Sequence, residues 1–286
     1  MTRQDGEMDQ LGGDAFIGYA PTGGKCVRRN CRRDAPVVRI GESVLRQPCE
    51  IHEAEIAEEW EREERARLMA QALVDSGLTA RQREFTLDSY EKACGDEAGL
   101  AALAVARRWL RTYLDGGSAG NLVLYGPIGV GKTGLASGIV RAVCEEGRLT
   151  VDGSGEPIRV HAAKMVAFKA LLNAMKECFD RHEPTAHALS VGRVPLLVLD
   201  DLGAERPTEW TRDELLGIVD YRYEKGLPTI YVSNYKLSDL ARRLSGSDRD
   251  AGGERDLTVG QRITSRMREG ATTFEFTGRD RRERVA

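Results

Sequence analysis

Residues 121–140 read NLVLYGPIGVGKTGLASGIV, and no other stretch of the chain narrows its folding options as far. A short apolar run leads into a glycine-rich turn, and Lys132 and Thr133 then open a helix-forming run. The turn fits the pattern G-x-x-x-x-G-K-[ST], whose chemistry lies in its backbone. Glycines let the loop curl so that several N–H groups converge on phosphate oxygens, and the helix N-terminus adds its partial positive charge. Gly126, Pro127, Gly129, Val130, Gly131, Lys132, Thr133 and Gly134 are therefore the expected phosphate-binding residues. Lys132 would reach the β- and γ-phosphates of ATP, and Thr133 would set its hydroxyl on Mg²⁺.

A strand–loop–helix unit of this kind needs a parallel sheet around it. From about residue 78 the sequence alternates helix and strand signals, as an α/β domain does. Strands are expected at 121–125, 158–162, 195–200, 229–233 and 272–276, with helices beginning near Lys132, Ala163, Glu209 and Leu237. The expected fold class is an α/β P-loop NTPase sheet flanked by helices. In LLVLDD, Asp200 and Asp201 end an apolar strand, where open α/β sheets bind ligands. Asp200 is read as the second magnesium residue and Asp201 as the general base that orients and deprotonates an attacking water. Glu205 is an alternative carboxylate, although an acid just ahead of a helix is an ordinary stabilising feature.

The rest of the chain adds exclusions. It has 286 residues and a net charge of −3, so bulk charge does not point to nucleic acid, although a local patch could still bind it. No apolar run approaches the ~18 residues of a membrane span, and the polar start MTRQDGEMDQLGGDAF is unlike a secretory leader. A cytoplasmic protein is expected. Residues 1–24 read as a flexible arm, 25–75 as a metal-binding and helical partner-binding region, and 76–286 as the nucleotide domain. The stretch from His52 to Gly77, most of it in the middle region, has helical composition but only a partial apolar stripe (Ile56, Trp60, Leu68, Met69). VDGSGEP (151–157) and SGSDRDAGGERD (245–256) read as exposed loops.

Three of the six cysteines fall in that region. Cys26 and Cys31 are separated by four residues, and Cys49 and His52 by two. Two short-spaced pairs of soft or borderline ligands fit a tetrahedral Cys₃His Zn²⁺ site, and metal would supply folding energy that so arginine-rich a segment lacks. Cys94, Cys144 and Cys178 lie in helical stretches and read as small core residues. The set Cys178, His182, His187 has no second pair and reads as coincidence.

DDLGAERPTEWTRDELLGIVDYRYEKGLPTIYVSNY resembles the core of the DnaC/IstB branch of the AAA+ ATPases, a likeness running from about Ser76 onward. The resemblance implies an oligomeric ATPase. Asn234, in SNY, takes the place of the sensor-1 residue that positions the hydrolytic water. QRITSRMRE matches the arginine-finger segment, with Arg266 first and Arg262 second, and Arg282 in FTGRDRR matches a sensor-2-like arginine. Many AAA+ proteins carry Glu where this chain has Asp201. The short stretch after Arg266 has no room for a helical lid, and this branch is typically lidless. The implied role is a helicase loader: residues up to about 75 grip a replicative helicase, and a ring or spiral of ATPase domains assembles on single-stranded DNA, with Arg159, His161 and Lys164 facing it. A transposition helper that presents target DNA to a transposase is the alternative, as is a slow nucleotide-gated adaptor. A metabolic P-loop kinase would need an acceptor pocket and lid, of which the sequence bears no sign.

Overall fold

The computed structural model describes residues 17–28, 30–40, 43–94, 96–146, 149–151, 157–159, 162–180, 190–205, 207–245, 258–278 and 280–281. The chain forms two compact units, residues 1–68 and 69–286.

In the first unit, strands β1 (Ile17–Lys25), β2 (Asp34–Ile40) and β3 (Ser43–Arg46) form an antiparallel sheet in that order. Residues 17–24, expected as part of an arm, thus pair with β2. Their strand character is hidden by Pro21 and three glycines (Gly18, Gly23 and Gly24), and the ladder register breaks between Ala20 and Gly24, where a residue without an N–H costs no ladder bond. Among the described residues of this unit the buried side chains are Cys26, Ala35, Val37 and Cys49. Helix α1 (Glu50–Asp75) follows. Trp60 on it is 70% exposed, in keeping with its weak apolar stripe. The unit boundary falls inside α1 rather than at residue 75, because its last turns bring Ala72 and Leu73 into the core of the second unit.

The second unit begins with α2 (Ala80–Arg83), α3 (Leu87–Ala93) and α4 (Glu97–Leu114). Side chains cap each start: Thr79 and Thr86 in reciprocal capping boxes, Asp96 on the Gly99 N–H. Then come β4 (Leu122–Tyr125), α5 (Lys132–Glu146), a hairpin of β5 (Leu149–Val151) and β6 (Pro157–Arg159), β7 (Ala163–Ala167) and α6 (Phe168–Asp180). The chain closes with β8 (Leu196–Leu202), α7 (Glu209–Glu224), β9 (Thr229–Ser233), α8 (Leu237–Leu244), α9 (Thr258–Arg268) and β10 (Thr272–Glu275). Five strands pair in parallel, in the order β10-β4-β9-β8-β7.

Both faces of this sheet are covered, which explains its uninterrupted apolar strands. Leu122, Leu124, Leu196, Val198, Ile230 and Val232 join the core with α4 and α5, while their neighbours Val123, Leu197, Leu199 and Tyr231 join the core with α6 and α7. One strand differs from expectation. Among the described residues, 157–159 pair only with β5, and the fifth sheet strand is 163–167, where a helix start was expected. Ala, Lys and Met favour helices in isolation, but Ala163 and Met165 are buried and the Met165 N–H bonds Ser76 O at 2.7 Å. Tertiary pairing overrides the local preference there. No described helix is long and apolar enough to cross a membrane.

Candidate functional site

The loop between β4 and α5 turns on three glycines with positive φ: Gly126 (144°), Gly129 (79°) and Gly131 (101°). Two are also fixed by crowding. A Cβ on Gly126 would lie 2.3 Å from Phe276 O, and one on Gly129 would lie 1.8 Å from the Asp280 carboxylate. Lys132 is 6% exposed. Its Nζ donates to Gly126 O (2.9 Å), Pro127 O (2.6 Å) and Asn234 Oδ1 (2.9 Å). The ammonium thus ties the start of the loop to the end of β9.

Strand β8 delivers the carboxylates. Its register slips between Leu199 and Leu202, and this bulge separates the two acids. Asp200 stays buried, whereas Asp201 turns into the left-handed region (φ 54°) and is exposed. Thr133 Oγ1 donates to Asp200 Oδ1 at 3.1 Å, and the Asp201 N–H donates to the same oxygen at 3.0 Å. Burial first, and the neighbouring Asp201 charge second, push the Asp200 carboxyl up to about 6. A hydroxyl and a carboxylate this close form the start of an oxygen donor set suited to Mg²⁺, which takes few protein ligands and completes its shell with phosphates and water. The structure therefore brings Lys132, Thr133, Asp200 and Asn234 together at the C-terminal edge of the sheet, with Asp201 beside them. Glu205 stands apart, exposed and paired with Lys169 Nζ at 2.8 Å, a partner that holds its carboxyl below the usual range.

Arg266 lies on α9 against α7. Its Nε is 3.4 Å from Asp220 Oδ1, and its guanidinium sits 4.0 Å over the Tyr223 ring. Arg262 reaches the other Asp220 oxygen at 3.2 Å. The Arg266 carbonyl accepts from Asn121 Nδ2 at 3.2 Å, at the opposite end of β4 from the phosphate loop. Arg282 lies outside the described residues. Its neighbour Arg281 donates its backbone N–H to Gly129 O (3.0 Å) and its guanidinium to Asp96 Oδ1 (2.7 Å). Of the expected DNA-facing residues, Arg159 is in the β5–β6 hairpin, Lys164 is half-buried in β7, and His161 lies outside the described residues. Cys94 and Cys144 are buried. His182 and His187 lie outside the described residues.

In the first unit, Cys26, Cys31, Cys49 and His52 bring their ligand atoms within 4.8 Å of one another. Cys26 Sγ is 3.2 Å from His52 Nδ1, Cys49 Sγ is 3.5 Å from the same nitrogen, and the Cys31 and Cys49 sulfurs are 4.0 Å apart. A tetrahedron with zinc–ligand bonds of about 2.0–2.3 Å has edges of roughly 3.5–3.8 Å, so the four residues fit Zn²⁺. Glu55 Oε2, 3.6 Å from His52 Nε2, occupies the place from which a carboxylate orients a ligating imidazole. Burial alone would raise the Cys26 thiol. Backbone N–H groups of Cys49 and Arg28, with His52, bring it down to about 6.

Several residues that shape the site gave no signal in the sequence. Asp220 and Tyr223 look like ordinary polar positions of a helix, and Ser233 is overshadowed by Asn234 beside it. Arg222, 1% exposed with five hydrogen bonds, reads as solvated surface until the fold is known.

Residues 111–248 match the family described as IstB-like ATP binding protein. The chain is 27% identical to the replicative helicase loader DnaI of Bacillus subtilis (strain 168) over 188 residues, covering 65% of this chain and 55% of that one. It is 26% identical to the replicative helicase loader DnaC of Escherichia coli (strain K12) over 212 residues, 73% of this chain and 74% of that one. A crystal structure of DnaI superposes with a TM-score of 0.56 at 26% identity, over 70% of this chain and 95% of that one. The second unit has the AAA+ P-loop fold.

Proposed function

We propose that this chain, whose residues 111–248 match the IstB-like ATP binding protein family, is a helicase loader that hydrolyses ATP and works as a ring or spiral on single-stranded DNA. One observation carries the reading: Lys132 Nζ meets Asn234 Oδ1 at 2.9 Å while Thr133 meets Asp200 at 3.1 Å. A phosphate-binding loop, a metal-type acid and a polar residue from the next strand thus already converge, as phosphoryl transfer to water requires. The similarity to DnaI and DnaC supports the loader role.

Roles follow from position. The loop amides and Lys132 bind the phosphates. Thr133 and Asp200 would hold Mg²⁺, which neutralises charge on phosphate oxygens. Asp201, exposed beside Asp200, accepts a proton from the attacking water, and Asn234 orients that water. Arg266 belongs to another protomer's site. Its backbone is anchored at Asn121, the far end of β4, about 16 Å from Gly126 at a strand's rise per residue. The resemblance implies that Arg266 is an arginine finger, and a side chain that cannot span that distance within one chain would serve the γ-phosphate of a neighbour's site. The Cys₃His cluster would hold a structural Zn²⁺ and so order the first unit, which on this reading grips the replicative helicase in the cytoplasm.

The test is ATPase rate against protein concentration, with and without single-stranded DNA, for wild type and Arg266→Ala. A rate that climbs cooperatively with both, and falls about 10³-fold in the variant, supports the loader motor. A flat, DNA-indifferent rate shared by both proteins would leave a nucleotide-gated adaptor. The IstB-like match favours a second reading, a transposition helper. That reading predicts preference for duplex over single-stranded DNA and capture of a transposase instead of a helicase.

A further inference from the structure

Ser233 ends β9 directly before Asn234, and its side chain is buried at 2% exposure. A hydroxyl at the end of a strand whose other residues are all buried is costly there unless it is paired. It is paired in both senses. Ser233 Oγ donates to Leu202 O at 2.7 Å and accepts from the Tyr235 N–H at 3.1 Å. The residue's own carbonyl accepts from the Gly126 N–H at 3.3 Å.

These three bonds end on three different parts of the site. Leu202 closes the β8 bulge that turns Asp201 outward, and the ladder between β8 and β9 skips there. The Ser233 hydroxyl donates to a carbonyl at that irregular point, and so pins the far side of the bulge. Tyr235 follows Asn234, so the second bond fixes the turn from which the Asn234 amide reaches Lys132. Gly126 opens the phosphate loop, so the third bond sets that loop against the end of β9. Tyr235 is itself held, since Arg243 lies 4.1 Å over its ring and donates to Gly203 O at 2.7 Å.

We propose that Ser233 is a positioning residue that locks the Asp201 bulge, Asn234 and the phosphate loop into one register, so that a γ-phosphate is recognised by all three at once. This rests on the reading of the site as an ATP site. The Ser233 hydroxyl is engaged by Leu202 O and the Tyr235 N–H, so it acts through other residues. Removing its hydroxyl takes one partner from the Leu202 carbonyl and one from the Tyr235 N–H, and the bulge and the Asn234 turn are then no longer tied to each other. Recognition of the third phosphate suffers, while the loop amides that hold the β-phosphate remain.

The test compares affinities for a fluorescent non-hydrolysable ATP analogue and for fluorescent ADP, both with Mg²⁺. The proteins are wild type, Ser233→Ala, Ser233→Thr and Val219→Ala, the last a buried truncation on α7 that lowers melting temperature without touching these bonds. Wild type is expected to prefer the triphosphate. Ser233→Ala loses about tenfold of that preference with ADP affinity within twofold, Ser233→Thr restores it, and Val219→Ala keeps it. Should Ser233→Ala fail to fold, Ser233→Cys keeps the volume, weakens both bonds and is read in its place. An unchanged preference in Ser233→Ala overturns the proposal alone, as does an equal loss in Val219→Ala. Wild type that binds neither nucleotide overturns the ATP-site reading and the proposal with it. Wild type that prefers the triphosphate but does not turn it over removes the hydrolysis reading and leaves the Ser233 comparison decisive.

Discussion

Arg222 is the buried charge on which the geometry behind the site depends, and replacing it with methionine should destabilise the second unit by about 3 kcal/mol. The guanidinium in the last turn of α7 is 1% exposed. Its five N–H groups go to Thr229 Oγ1 (2.7 Å), Gly192 O (2.8 Å), Val194 O (2.7 Å), Pro195 O (3.3 Å) and Pro228 O (2.6 Å). Every one of these acceptors is uncharged, and burial pulls the group down to about 10. The bonds join the approach to β8 to the start of β9, the two strands that deliver Asp200 and Asn234. Met fills the stem's volume but donates nothing, so four carbonyls lose a partner at roughly 1 kcal/mol each. Relief from burying a charge returns part of that. In urea unfolding, 3 kcal/mol moves the midpoint by about 1–2 M at an m-value of ordinary size, with m unchanged. A variant within 0.5 kcal/mol of wild type would refute the argument that these bonds hold the strand starts together.

Two further outcomes follow from the cysteine cluster and from Glu205. Purified protein should release one Zn²⁺ per chain to a chromogenic chelator, and Cys49→Ser should carry none. Metal removal should also abolish amide-exchange protection in β2, since structural zinc supplies about 10–16 kcal/mol of apparent binding energy to a unit with four buried side chains among its described residues. Full protection in the metal-free protein would contradict this. Glu205→Gln should leave turnover within about twofold while Asp201→Asn loses about 10²-fold or more. The reverse pattern would make Glu205 the base.

The sequence was most legible where chemistry constrains both composition and spacing. The glycines of the loop, Lys132, Thr133 and the acids after LLVL stood out as candidates because few other residues can perform those tasks, and the structure brings them together; the apolar strands followed from a sheet covered on both faces. The strand 163–167 was not legible, because its residues favour a helix until Met165 meets Ser76 and β8. Strand β1 was obscured by the glycines and proline at its register break. Arg222, Ser233 and Asp220 escaped for a shared reason. Their importance lies in long-range partners, and a buried arginine in a helix has the same local sequence signature as a solvated one. The bulge that parts Asp200 from Asp201 was equally silent, since two adjacent acids read alike whether or not the backbone between them turns.

The central claim is that each site is completed by the Arg266 of a neighbour, and mixing two inactive variants tests it most directly. Arg266→Ala keeps an intact site and lacks the arginine, while Asp201→Asn has a disabled site and an intact arginine. If the arginine acts between protomers, an equal mixture should recover about a quarter of wild-type turnover, the share of random neighbour pairs that unite a good site with a good arginine. A mixture no more active than its two components would contradict the account.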